Sequence, residues 1–217
     1  VTSQWVHSVY SQTSKCTSIQ KMRVCLSMIV KNESKIIRRC LESVRDVVDS
    51  YVVHDTGSTD DTCEIIKEVM DGIDGKIEHT EFVNFEKNRN LALDDAKKMD
   101  CDFVLLIDAD MELVVLDTEK FMSLDNAVYS LAQKDSCLSY HNVRLINRSV
   151  YESAKYAGVT HEYLSTGFAS TPLCDSIAYM KDHCDGGSKS DKFVRDRRLL
   201  EDYLLENPNC IRTKFYL

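Results

Sequence analysis

The chain has 217 residues, with 27 Lys and Arg against 35 Asp and Glu for a formal charge of −8. That length suits one sizeable domain with a short extension, and it needs no disulfide or metal staple to complete a core. Hydrophobic residues at 43% and charged ones at 29% exclude a disordered chain, and the acidic balance excludes non-specific binding to nucleic acid.

Residues 1–20 are polar and patternless and read as an N-terminal arm. From Met22 to Val30 an apolar, β-branched run predicts a buried strand. The period then changes: Ile36, Ile37, Cys40, Leu41, Val44, Val47 and Val48 share one face of a helix over 35–48. Ser50 to His54 is a second strand, leading into the turn Gly57-Ser58-Thr59. Ser58 or Thr59 is expected to cap a helix that opens with Asp60 and Asp61. Lys76 to Phe82 is a third strand, and 86–99 is a helix with Leu91, Ala92, Ala96 and Met99 inward. The fourth strand, Phe103 to Ile107, is wholly apolar and ends in Asp108-Ala109-Asp110.

Strands alternating with helices predict an α/β fold with a mostly parallel, doubly wound sheet flanked by helices. Beyond about residue 135, strand-like segments near 138–147, 151–157, 159–165 and 176–182 lack helices between them and predict an antiparallel or mixed part. Residues 190–217 return to helix with Phe193, Leu200, Tyr203 and Leu204 on one side and a break at Asn207-Pro208-Asn209. The pattern stops midway, as at a boundary within a longer protein. The expected organisation is an arm over 1–20, an α/β domain over 21–188 and helices over 189–217.

Nine cysteines, an odd number without a Cys-x-x-Cys pair, argue against a zinc site and read as free thiols of a cytoplasmic protein. No apolar run reaches the roughly 18 residues of a membrane helix, so no integral membrane segment is expected.

In an open α/β sheet, ligands bind outside the carboxyl ends of the strands. Three segments fall there: Lys31-Asn32-Glu33, Asp55 to Asp60, and Asp108-Ala109-Asp110. Two carboxylates one residue apart at a strand end make a hard-oxygen site for Mn²⁺ or Mg²⁺, or else an acidic turn. Asp55 either accepts hydrogen bonds from a base or ribose, or belongs to a strand–turn–helix junction whose Gly57 permits positive φ.

Four motifs in order carry a resemblance: Cys25-Leu-Ser-Met-Ile-Val-Lys-Asn-Glu33, Val53-His-Asp-Thr-Gly-Ser-Thr-Asp60, Asn88-Arg-Asn-Leu-Ala92 and Leu105-Leu-Ile-Asp-Ala-Asp110. Together they resemble the donor half of a family-2 glycosyltransferase with the GT-A fold. A weaker likeness continues through Asn142-Val-Arg-Leu-Ile146, Gly158-Val-Thr-His-Glu-Tyr163 and residues 183–198, as in members followed by a tetratricopeptide-like helical array.

The resemblance implies metal-dependent transfer of a sugar, with inversion, from a nucleoside diphosphate sugar (UDP-linked by preference) to a hydroxyl of a glycan, lipid or protein. It places the base on Asp55, with Val30, Lys31, Asn32 and Glu33 lining its pocket and Gly57 and Ser58 beside it. Arg89 and Ala109 belong to the nucleotide-sugar site, Asp108 to ribose or a metal-bound water, and Asp110 to the metal itself. The segment His183-Cys-Asp-Gly-Gly-Ser-Lys189 is similar to one that other GT-A enzymes use on metal and diphosphate, which implies His183 on the metal and Lys189 on the phosphates. Both also have the plainer reading of a surface loop.

Inverting transfer needs a general base at the acceptor hydroxyl. Within the resembling segment, His161 and Glu162 are the pair to consider, with Glu162 the base and Asp191 the next choice. The Glu-Asp base motif of many relatives is absent. Two other function classes share part of this pattern. A phosphohydrolase of the haloacid dehalogenase kind also places Asp-x-Asp after an apolar strand, but Glu112 stands where a Thr is expected. A non-catalytic nucleotide-binding scaffold would use the terminal helices to dock a partner.

Overall fold

The computed structural model describes residues 22–186 and 192–217, so the expected arm, Lys189 and Asp191 lie outside the described residues. The sheet is built about β1 (Val24–Val30), which pairs in parallel with β2 (Ser50–Asp55) and β4 (Phe103–Leu106). Beyond β2 lies β3 (Asp74–His79), again parallel. Helices α1 (Ile37–Val44), α2 (Thr62–Val69) and α3 (Phe85–Ala96) connect these strands. The helices cover both faces, which is why β1 and β4 are continuous apolar runs. On one face Leu26, Val30 and Leu105 pack with Ile37, Leu41 and Ile66. On the other, Cys25 and Val104 pack with Leu93 and Ala96.

The direction reverses at β7 (Ser139–Asn147), which runs antiparallel to β4 and to β6 (Val128–Lys134). The sheet continues through β11 (Ala178–Asp182) to β5 (Met111–Val115), in the order β3-β2-β1-β4-β7-β6-β11-β5. A two-residue strand, β10 (Thr171–Pro172), adds to β6, while β8 (Lys155–Ala157) and β9 (Tyr163–Ser165) form a separate ribbon. A short helix α4 (Thr118–Phe121) follows β5, and α5 (Lys192–Glu206) and α6 (Ile211–Tyr216) end the chain. No helix of the described residues is long and apolar enough to cross a membrane.

Three local expectations change. Leu91 is 48% exposed and Leu93 is buried in its place, because Asn88 turns inward to bond the Glu81 carbonyl and the Val83 amide. Neither Ser58 nor Thr59 caps α2; Asp61 is the N-cap residue, and the Thr62 amide bonds instead to Asp60. In α5, Phe193 is exposed, and the buried positions are Asp196 and Leu200.

Candidate active site

The carboxyl ends of β1, β2 and β4 open onto a cavity of about 610 Å³. Its first wall is the loop after β1, which the sequence fastens to the turn after β2. Asn32 adopts φ 55°, in the left-handed region that Asn tolerates better than most residues. Its amide donates to Ser58 Oγ at 2.9 Å and its Oδ1 accepts the Thr59 amide at 2.7 Å. The Glu33 amide donates to Thr62 Oγ1 at 2.8 Å, and the Ser34 amide to Asp60 Oδ2 at 3.1 Å. Two motifs far apart in sequence are therefore one rigid corner, and Val30, Lys31, Asn32 and Glu33 line the cavity on it.

Asp55 lies behind this corner, 2% exposed, and does not itself line the cavity. The Ser58 amide donates to its Oδ1 at 3.0 Å, and His79 Nδ1 stands 3.0 Å from its Oδ2. Asp55, Cys63 and His79 bring one ligand atom each within 4.8 Å of one another, a grouping that the expected metal residues do not make among the described residues. The contact with Asp55 accounts for the place of His79 in this group. Gly57, at φ 104°, makes the turn, and its conformation rather than a contact is its contribution.

The opposite wall is organised by the Asn88-Arg89-Asn90 triplet of α3. Asn90 makes two bonds to the Tyr156 backbone, its Nδ2 donating to the carbonyl at 3.0 Å and its Oδ1 accepting the amide at 2.8 Å. Arg89, between Asn88 and Asn90, spans two acids: its Nη2 donates to Asp108 Oδ1 at 2.6 Å and its Nε to Glu162 Oε1 at 2.5 Å. Arg144 Nη1 reaches the other oxygen of Asp108 at 3.2 Å, and its Nη2 donates to Gln133 Oε1 at 2.8 Å. Burial favours the neutral form of Asp108, but Arg89 and then Arg144 outweigh it and hold the carboxyl well below its usual range. Burial also opposes charge on Arg89, and Asp108 and Glu162 more than restore it. Arg144 was not singled out from sequence, although it lies in the Asn142–Ile146 segment that carried part of the resemblance.

Asp110 lies at the cavity edge with Ala109. The Asp110 carbonyl accepts the His183 amide at 3.0 Å, which brings the chain after β11 against it. A Cβ on Gly186 would come within 3.0 Å of Asp110 Oδ2, so the carboxylate sits in a cradle that a side chain there would crowd. That is the oxygen donor a hard divalent cation requires. His183 Nε2 is 2.9 Å from Glu112 Oε2, a contact that, with Lys181, lowers the carboxyl of Glu112. Asp108, with both oxygens on guanidinium groups, would meet a cation through water. Of the proposed metal residues, Asp110 fits most directly.

His161 and Glu162 line the same cavity, joined by residues the sequence reading passed over: Phe82, Phe85 and, from α5, Lys192, Arg195 and Asp196. Arg195 lies over the Phe85 ring at 4.9 Å. The regular helical pattern of α5 concealed these contributions. Ser58 and His183 sit in the supporting shell, away from the lining.

Residues 25–124 match the family model described as glycosyl transferase family 2. Among curated proteins, a TPR repeat-containing protein of Synechococcus elongatus is 40% identical over 94 residues, covering 43% of this chain and 22% of that protein. The prophage-derived glycosyltransferase SunS of Bacillus subtilis is 28% identical over 208 residues, covering 89% of this chain and 48% of that protein. The chain thus spans between about a fifth and a half of these relatives. Among solved structures, S. aureus TarS 1–349 in complex with UDP-GlcNAc aligns with a TM-score of 0.56 at 16% identity, covering 84% of this chain and 67% of that one. A structure of S. aureus TarS aligns at 0.53 and 17% identity, covering 84% and 40%. At these identities the likeness establishes the fold, a mixed sheet of the GT-A kind. Motifs, matched segment and sheet agree: residues 25–124 are similar to family-2 glycosyltransferases, and the chain has a fold of the GT-A kind.

Proposed function

We propose that the protein is an inverting, metal-dependent glycosyltransferase that uses a nucleoside diphosphate sugar, UDP-linked by preference. The observation that carries this reading is that Asp108, from the donor half, and Glu162, from the second half, share the guanidinium of Arg89 at one cavity. Donor and acceptor chemistry would then meet at one point. The base and ribose would lie along Val30 to Glu33, with Asp55 supporting that wall from behind. The sugar would extend toward Arg89 and Asp108.

In the transfer itself, the acceptor hydroxyl attacks the anomeric carbon on the face opposite the diphosphate. Its proton passes to the Glu162 carboxylate, the new glycosidic bond forms, and the anomeric C–O bond to phosphate breaks with its electron pair leaving on the diphosphate. Asp110 would hold Mn²⁺ or Mg²⁺, with Asp108 and His183 the further residues proposed for it on the resemblance. When bound, such a cation supplies Lewis-acid stabilisation of the leaving diphosphate. Lys192 and Arg195 bring further positive charge to the cavity wall, as does Lys31. Lys189, outside the described residues, is proposed for the phosphates on the resemblance alone.

The test is incubation with Mn²⁺ and UDP-GlcNAc, UDP-glucose or GDP-mannose, following release of the nucleoside diphosphate with and without EDTA. The reading expects slow, EDTA-sensitive release of UDP from one UDP-sugar, lost in Asp110→Ala. EDTA-insensitive release, or none from any donor, contradicts it.

A further inference from the structure

The Glu162 loop is gripped from two sides, and only one of them belongs to the α/β layers. On the α3 side, the Phe85 amide donates to the Val159 carbonyl at 3.2 Å, the Gly158 amide to Glu86 Oε2 at 2.8 Å, and Arg89 to Glu162 itself. On the other side stands α6. Arg212 Nη2 donates to the His161 carbonyl at 2.8 Å. The Tyr216 ring stacks on the His161 imidazole, with centroids 4.4 Å apart and planes at 8°. The Arg212 guanidinium lies over the rings of Tyr163 at 4.7 Å and Tyr216 at 5.0 Å.

The residue so held is a strained one. His161 has φ 48°, left-handed backbone that a non-glycine residue keeps only where its surroundings determine it more than once. Its carbonyl belongs to the peptide that leads into Glu162, so the bond from Arg212 fixes the plane from which the Glu162 side chain departs. Relaxation of His161 to negative φ would turn that plane and carry the carboxylate away from Arg89.

We infer that α6 is a positioning element for the active site: Arg212 and Tyr216 hold His161 in its left-handed conformation and so set Glu162 at the acceptor position. The C-terminal helices would then be a working part of this site, beyond any role as the start of a helical array. The inference rests on the reading of Glu162 as the base.

The experiment compares wild type, Arg212→Ala, Tyr216→Ala and Tyr216→Phe by amide hydrogen exchange over residues 158–163 and by UDP release from UDP-GlcNAc and UDP-glucose with Mn²⁺. Loss of the clamp is expected to speed exchange over 158–163 alone. It is also expected to lower kcat about tenfold with donor KM within about twofold, the pattern of a misplaced reacting group. Tyr216→Phe, which keeps the stacked ring, should restore both. Unchanged exchange in Arg212→Ala, or faster exchange with an unchanged kcat, overturns the inference. Glu162→Gln separates the two readings. If it is slow while Arg212→Ala is normal, the inference falls and the base assignment stands. If Glu162→Gln works at the wild-type rate, the base assignment falls and takes this inference with it.

Discussion

Arg89 donates to Asp108 at 2.6 Å, and the same guanidinium reaches Glu162 at 2.5 Å. A planar fork that donates along two edges can hold two carboxylates in fixed relation, which an ammonium on a flexible stem cannot. The arrangement puts the terminus of β4 and the loop before β9 in register across the cavity.

Arg89→Lys therefore keeps the charge and loses the geometry. UDP release, and transfer once an acceptor is known, is predicted to fall by about a hundredfold or more, the scale on which misplaced reacting groups slow a reaction. The melting temperature should fall much less than in Arg89→Ala, which leaves the half-buried Glu162 without its cation and Asp108 with Arg144 alone, at a cost of about 3 kcal/mol. Wild-type turnover in Arg89→Lys would show that the bridge has no part in the chemistry.

Arg144 is 5% exposed and joins Asp108 to Gln133, whose Nε2 in turn donates to the Tyr140 hydroxyl and to Asp182. Arg144→Met removes the central member of this chain and leaves the Gln133 carbonyl oxygen and one Asp108 oxygen without a donor. Unfolding by urea is predicted to show a loss of about 3 kcal/mol. A loss below about 1 kcal/mol would mean that water replaces the guanidinium at no cost.

Asp95 makes the stability of the fold pH-dependent at a place away from the cavity. Lys98 Nζ lies at 2.7 Å, Lys76 Nζ at 3.0 Å and His54 Nε2 at 3.2 Å. Burial works against its charged form, but the Lys98 and Lys76 contacts prevail and bring the carboxyl down to about 2. An unfolded Asp titrates near about 3.9, so on acidification the unfolded chain takes the proton first. The stabilisation is whole above about pH 4 and is lost as pH falls toward about 2. Asp95→Asn is predicted to cost about 1–2 kcal/mol near neutral pH, discounted for partial solvent screening, and much less near pH 2. Urea midpoints at both pH values check this, and an equal cost at each would contradict it.

The parallel half of the fold was legible because its central strands β1 and β4, buried on both faces, announce themselves as apolar runs. The second half hid β6, whose Ser130 and Gln133 are buried polar residues; Gln133 is satisfied by Arg144, Tyr140 and Asp182, which only the fold brings to it. It also hid β5, where Met111 and Leu113 give too short an alternation beside the acids of the preceding turn. Among the expected site residues, the strand-end position pointed to Asp108 and Asp110, and the family resemblance to Arg89 and Glu162. Neither could indicate that one arginine joins Asp108 to Glu162, or that Tyr216 reaches His161, since those relations exist only after chain reversal at β7. Leu91 misled because periodicity treats Asn88 as polar and outward, whereas its amide serves the buried backbone of residues 81–83.

The most direct test of the central claim is thermal unfolding with Mn²⁺ and a panel of nucleoside diphosphates. A ligand at a hundred times its dissociation constant stabilises by about 2.7 kcal/mol, which for a domain of this size raises Tm by roughly 5–11 °C. The account predicts a rise of that order with UDP that requires Mn²⁺ and is lost in Asp110→Ala. No rise with any nucleoside diphosphate, or the same rise without metal and in Asp110→Ala, would contradict it.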